Sequence, residues 1–252
     1  MEVHHHPHVE KKNFKEYFLE FLMIFLAVTL GFFAENLREY LKNNEDTRKS
    51  MRSMVWDLRS DSIMYSSLLS GNEYCSRMND TLIHLLSEKN TNTGHMYFLA
   101  RNITAVFDFV RPNNRTFEQL KTAGSLSLIN NESILDSITS YYQSLRWIDQ
   151  QNNMLLDKLN EVHDGNSLLF EGSVFEKIFS NTYLNKEHNT MIVQEPTDNP
   201  PFMSHDPVSI NTVILRYHYF GSVLRENDGA TAVAAEQCNR LIMFLVKKYT
   251  LE

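Results

Sequence analysis

The chain has 252 residues and a formal net charge of −7. It therefore offers no domain-wide basic face to neutralise phosphates, which excludes nucleic acid as a partner. Only 8 glycines and 6 prolines punctuate it, a composition that favours long helices over β-meanders. Beyond a tail and a single apolar segment, the length suffices for one sizeable domain with its own core.

Residues 1–16, MEVHHHPHVEKKNFKE, form a polar tail. His4, His5, His6 and His8 are its candidate ligands for a soft divalent metal. Consecutive histidines interrupted by Pro7 cannot all reach one ion from a regular helix. The tail therefore reads as a disordered polar segment or a tagging remnant, and neither metal nor cofactor is expected. The charged region is long and mixed in sign, and Gly31–Phe32–Phe33–Ala34 is too bulky for a small-x-small cleavage site. The apolar segment that follows the tail thus reads as an uncleaved anchor rather than a signal peptide.

That segment is residues 17–34, YFLEFLMIFLAVTLGFFA, apolar from Phe21 onward except for Thr29. As a helix it extends roughly 27 Å, close to the ~30 Å hydrocarbon core of a bilayer. A buried core helix is the alternative for so short a run. Aromatic residues clustered at one end, and direct passage into a polar helix at the other, favour a transmembrane helix. Glu20 stands about one turn inside it. Ionisable groups in a span are costly and usually paired or functional, so Glu20 is the candidate intramembrane interaction residue; snorkelling to the interface is the alternative. Lys11, Lys12 and Lys15 precede the span and Arg38, Lys42, Arg48 and Lys49 follow it, a nearly even balance. A short tail is the easier end to retain in the cytoplasm, so the expected topology is amino terminus in, main domain out.

Residues 35–50 form a polar helical neck with almost no apolar stripe. From Met51 the stripe Met51, Val55, Leu58, Ser62, Tyr65, Leu69 alternates spacings of four and three, a core-facing side. No proline lies between Pro7 and Pro112, so residues 17 to about 69 are expected to form one nearly continuous helix, about 80 Å long. Gly71–Asn72 reads as a bend, since Cys75, Met78, Leu82 and Leu85–Leu86 continue the period. Residues 89–94 are a turn and Met96–Phe109 a helix, ended before Pro112. Thr116 with Gln119 reads as a capping box opening a short helix that Gly124 closes. Leu126, Leu128 and Ile129 form an apolar turn. Ile134, Ile138, Tyr141, Leu145, Ile148, Leu155, Leu159 and Val162 then line an amphipathic helix, interrupted at Gln151–Asn152 and stopped by Asp164–Gly165. Leu168–Leu184 is a further helix. Residues 186–207 are a long loop, functional or mobile, with a brief strand at Met191–Val193. Asp206–Pro207 starts a helix along Ile210, Val213–Ile214, Tyr217, Phe220 and Leu224. Asn227–Asp228–Gly229 breaks or bends it, and a last helix carries Val233, Gln237, Leu241, Phe244 and Lys248. The stripe from Met51 is expected to bury against the helix at 132–162 and the carboxy-terminal helix. The domains are thus 1–16, 17–34, 35–50 and 51–252, the last an α-helical extramembrane domain.

No phosphate loop, dinucleotide fingerprint, nucleophile elbow or HExxH motif is present. The histidines outside the tail are scattered, and His205–Asp206 beside the proline-rich loop is the sole pair that suggests a catalytic dyad. Asp57, Arg59 and Asp61 read as charges of a solvated face. Cys75 and Cys238 fit no metal-ligand spacing; they either pair in an oxidising compartment or remain free buried thiols.

Two stretches resemble an uncharacterised family of single-span, mostly helical envelope proteins of bacteroidete-type Gram-negative bacteria. One is EYFLEFLMIFLAVTLGFFAENLREYLKN followed by VWDLRSD, in which Glu20, Asn36 and Glu39 match the family pattern; Leu37 stands where that pattern often carries a tryptophan. The other is TFEQLKTAGSLSLINNESILDSITSYY. The resemblance implies a bacterial inner-membrane location, a periplasmic α-helical domain and no known reaction. The expected fold is all-α, a single transmembrane helix continuing into a membrane-proximal bundle. The expected function is that of a non-enzymatic structural or interaction protein, self-associating or serving as accessory subunit to another envelope membrane protein, with the lipid bilayer as its other partner. The alternative is a ligand-sensing or regulatory protein signalling across the membrane, which requires a concave apolar pocket with convergent polar groups.

Overall fold

A chain so poor in glycine and proline has few places to stop a helix, and the computed structural model shows the consequence. It describes residues 13–106, 108–129, 131–180, 183–185 and 190–251. In chain order these form α1 (Phe14–Ser87), α2 (Thr93–Val106), α3 (Arg115–Thr122), a 3-10 turn (Ser125–Leu128), α4 (Glu132–Leu169), α5 (Gly172–Ser180), β1 (Tyr183–Asn185), β2 (Thr190–Ile192) and α6 (Pro207–Tyr249). The fold is all-α apart from the antiparallel pair β1–β2, which registers Tyr183 with Ile192. The expected strand at Met191–Val193 lies one residue earlier. The chain divides into two units, one ending at Ser50 and one running Met51–Glu252.

In the second unit three long helices share two hydrophobic clusters. The first joins Met51, Met54, Val55 and Leu58 of α1 to Ile134, Ile138 and Ile148 of α4 and to Ala234, Leu241 and Leu245 of α6. The stripe from Met51 therefore buries against the two helices expected to receive it. The second joins Cys75, Met78, Leu82 and Leu86 of α1 to Leu155, Leu159 and Val162 of α4 and to Val213, Tyr217 and Phe220 of α6. In that order of contacts α4 runs alongside α1 in the same direction and α6 returns. The core register of α6 differs from the expected one. Ala234, Cys238, Leu241 and Leu245 are buried, whereas Val233 is exposed.

A polar layer separates the two clusters. Asn72 Nδ2 on α1 donates to Asp228 Oδ1 on α6 at 2.7 Å. Asn227 Nδ2 reaches Asn152 Oδ1 on α4 at 3.4 Å, and Asn152 Nδ2 donates to the Val110 carbonyl at 2.8 Å. The positions expected to bend or break helices at Gly71–Asn72 and Asn227–Gly229 thus lie inside unbroken α1 and α6, level with the Gln151–Asn152 interruption of α4. Their polar side chains face one another across the bundle.

Asp164–Gly165 does not stop α4, which continues to Leu169. A Cβ on Gly165 would lie 2.9 Å from Arg216 Cδ, and Arg216 donates to the Glu161 carbonyl at 2.8 Å. The missing side chain lets α6 pass close to α4. The helix expected over Leu168–Leu184 is shorter, because Phe170 turns to extended backbone and ends α4. Thr116 does not cap α3 either. Asn114 precedes the helix, and the Thr116 side chain is engaged elsewhere. Gly124 follows the helix end at φ 68°, as expected of a closing glycine. Asn131 and Asp206 cap α4 and α6, accepting from Ile134 N at 3.1 Å and Ser209 N at 2.9 Å.

The described part of the long loop is fastened to α2 by hydrogen bonds. The Thr93 hydroxyl donates to the Pro200 carbonyl at 2.6 Å, Gly94 N–H to Asn199 Oδ1 at 3.1 Å, and the Tyr97 hydroxyl to the Pro201 carbonyl at 3.0 Å. The Tyr97 ring packs edge-on against Phe170 at 4.9 Å. The loop passes so close to α2 that a Cβ at Gly94 would stand 2.2 Å from the Asp198 carbonyl oxygen. Gly94→Ala should therefore destabilise the second unit by about 2–3 kcal/mol in chemical denaturation of the full chain, since backbone must shift to admit one methyl.

Candidate functional site

A core helix buries its apolar face, and the amino-terminal part of α1 does not. Its most apolar 18-residue window is 0% buried, and it is the one helix among the described residues long and apolar enough to cross a membrane. From Met23 to Tyr40 every residue is exposed, and Glu20 is half-buried. The neck is exposed almost throughout and carries helix-spaced ion pairs, Arg38 with Glu35 and Lys49 with Glu45. Leu37, Tyr40 and Leu41 extend the exposed apolar surface past residue 34. His4, His5, His6 and His8 lie outside the described residues.

Asp57 and Asp61 are not solvated. Each is 2% exposed, while Arg59 between them is exposed. They stand on the core side of α1, where Met54, Leu58, Asp61 and Tyr65 repeat at spacings of four, three and four. The stripe read from the sequence runs through Ser62 and leaves Asp61 on a solvated face; the spacing of four, three and four from Met54 is the signal that could have placed Asp61 on the core side. Asp57 receives four donors from one short segment. Asn113 Nδ2 donates at 3.1 Å, the Arg115 guanidinium at 2.8 Å, and Thr116 through both its N–H at 3.1 Å and its hydroxyl at 2.5 Å. Asp61 accepts the Asn113 N–H at 2.8 Å and the Tyr141 hydroxyl at 3.2 Å. The Tyr141 hydroxyl in turn lies 3.0 Å from that of Tyr65. With Tyr141 donating to Asp61, Tyr65 donates to Tyr141. Burial pushes the Asp61 carboxyl up to about 6, against these hydrogen bonds and reinforced by the Asp57 charge.

The arrangement is a clamp, with both carboxylates committed to protein donors. His205 and Asp206 form no dyad. Asp206 Oδ2 takes the N–H and the hydroxyl of Ser209 as a helix cap, and the His205 ring lies against Phe202. Cys75 and Cys238 are free and buried in different clusters. Burial raises each thiol to about 12, which suppresses the reactive thiolate. Cys238 donates instead to the Leu58 carbonyl at 3.1 Å. Among the described residues no group of three or more His, Cys, Asp or Glu is placed to hold a metal.

Concave surface is present near the fastened loop. One pocket of about 550 Å³ has an apolar floor that includes Leu86, Met96, Phe202 and Ile214, with Lys89 and His205 also lining it. A second, also about 550 Å³, opens between α2, α4 and α5. Sequence reasoning missed both, because their linings come from segments distant in the chain.

Asp57→Ala should cost about 3 kcal/mol of unfolding free energy, because the Thr116 and Asn113 donors lose their acceptor in a buried place. Asp61→Asn keeps an acceptor for the Asn113 N–H and removes a titration. With the carboxyl raised in the folded chain, the native state holds a proton that the unfolded chain has released between pH about 4 and 6. Stability therefore falls as pH rises through that window and levels off above it. The stability of Asp61→Asn relative to wild type should rise by roughly 2 kcal/mol from pH 4 to pH 7, read by denaturant unfolding at each pH.

No family model, no curated protein and no solved structure matches this chain.

Proposed function

We propose that this protein is a membrane-anchored, non-enzymatic structural or interaction protein of the bacterial cell envelope, with its amino terminus in the cytoplasm and residues 51–252 in the periplasm. The observation that carries this reading is the wholly exposed apolar window of α1. Left in water, such a surface is an aggregation liability; in a bilayer it is the ordinary lipid-facing side of a span. The resemblance of residues 16–43, 55–61 and 116–142 to single-span envelope proteins supports the bacterial setting. The buried carboxylates of the second unit are spent on holding the fold, which supports binding rather than a reaction. The domain then acts by self-association or as accessory subunit to another envelope membrane protein, and Glu20, the ionisable group near the start of the span, is the candidate for a contact there.

A second reading, ligand sensing across the membrane, is favoured by the pocket between α2, α4 and α5, since a sensor needs such a cavity. The two separate on whether a ligand changes the assembly state.

The full chain should remain in membranes after an alkaline wash, and alkaline phosphatase fused after Glu252 should be active in the periplasm. Cross-linking in those membranes should yield a dimer, a higher oligomer or one recurrent envelope partner. Release by the wash removes the anchor, an inactive fusion reverses the topology, and a monomer with no partner removes the interaction role.

A further inference from the structure

The pocket between α2, α4 and α5 is lined on one side by Phe170, Phe175, Phe179 and Met203. Its other notable member is Arg101 of α2, whose guanidinium carbon lies 4.3 Å from the centre of the Phe179 ring. Arg101 is half-buried, and its Nε is buried with no hydrogen-bond partner. Among the described residues no aspartate or glutamate lines the pocket. Four exposed arginines of this unit have acidic partners: Arg77 meets Glu73, Arg115 meets Asp57, Arg225 meets Asp80 and Arg240 meets Glu236. Arg101 is the more buried cation and has only an aromatic face beside it. Its desolvation, which lowers its affinity for the proton, is thus uncompensated by any acidic side chain among the described residues, a costly arrangement unless an anion completes it.

Asn166 adds a donor to the lining. The Oδ1 of Asn166 is occupied by the Tyr217 hydroxyl at 2.9 Å, so its amide N–H groups are what it offers. The Thr104 and Ser167 hydroxyls spend their protons on the Arg101 and Asp164 carbonyls at 2.9 and 2.6 Å, so they offer the pocket only acceptor oxygens, and Arg101 and Asn166 are left as the groups that meet an anion. A guanidinium presents a planar fork that matches a carboxylate. The aromatic walls match an apolar body, and about 550 Å³ is within the range of small-molecule sites.

We propose that this pocket binds an organic monocarboxylate with an aromatic or branched apolar body, the carboxylate on Arg101 and Asn166 and the body between Phe170, Phe175 and Phe179. The proposal does not rest on the membrane reading, because the pocket lies wholly within the second unit.

The test is calorimetric titration of the full chain, held in lipid nanodiscs, with 4-phenylbutyrate. Its neutral counterpart 4-phenylbutyramide retains the body without the charge, and acetate retains the charge without the body. Saturable binding of 4-phenylbutyrate is expected, with each counterpart at least about tenfold weaker. Arg101→Gln should weaken the acid by about tenfold or more while leaving the amide unchanged. Ser167→Phe, which fills the pocket and leaves the cation in place, should abolish binding of both. Equal affinity for acid and amide, unchanged binding by Ser167→Phe, or no saturable binding of 4-phenylbutyrate at millimolar concentration overturns the proposal. Should Arg101→Gln lose its helical circular dichroism, the acid–amide comparison on the unaltered chain and Ser167→Phe decide it. Binding that occurs without any change in cross-linked species supports the pocket while removing the sensing role, so the two fail separately.

Discussion

The buried carboxylate of Asp57 is the point on which the first cluster of the second unit depends. An anion at 2% exposure is tolerable only if its lone pairs are filled, and all its donors, the Arg115 cation among them, come from residues 113–116. Satisfying the charge therefore fixes where that segment crosses α1. Once Thr116 is held, α3 has its start. Phe117 then stacks on Tyr142 with centroids 4.1 Å apart and rings 9° from parallel. Leu120 enters the cluster beside Ile134 and Ile138. VWDLRSD and TFEQLKTAG, far apart in the chain, meet at this clamp.

The polar layer plays a different part. Apolar packing alone specifies poorly how far three long parallel stripes slide past one another, because Leu, Ile and Met accept many neighbours. Hydrogen bonds from Asn72 to Asp228 and from Asn227 to Asn152 are satisfied at one register of α1, α4 and α6 only. A one-turn slip would bury these groups against hydrocarbon. The same device separates the cluster begun by Met51 from the one that holds the ligand pocket, so the two ends of this unit carry different chemistry: a carboxylate clamp at one, an unpaired cation at the other.

The pocket and the fastened loop are one construction. Tyr97 takes the Glu171 N–H at 2.6 Å while donating to the Pro201 carbonyl, and Met203 N–H donates to the Leu169 carbonyl at 2.9 Å. These bonds tie α2, the end of α4, the start of α5 and the approach to α6 into one frame. Phe170 and Met203 are held in that frame and form part of the pocket wall. A wall set by backbone hydrogen bonds is preorganised, which lowers the entropy cost of binding.

By itself the sequence determined the helical class, the long first helix, its apolar segment, the cap at Asp206 and the stripe from Met51. Each of these rests on local chemistry: periodicity, side-chain caps or the absence of proline over a long run. Only the tertiary structure decided the polar positions. Gly71–Asn72, Asp164–Gly165 and Asn227–Gly229 look like breaks because their helix propensity is low, yet cross-chain hydrogen bonds and a close helix approach outweigh a propensity cost of about 1 kcal/mol per residue. Asp57 and Asp61 look like surface charges because a carboxylate one turn away from the next normally seeks water. Their burial depends on donors more than fifty residues further along the chain. Arg101 is likewise an unremarkable helix residue until α4 and α5 close around it. Polar groups are placed by partners, and partners distant in sequence exist only once the chain has folded.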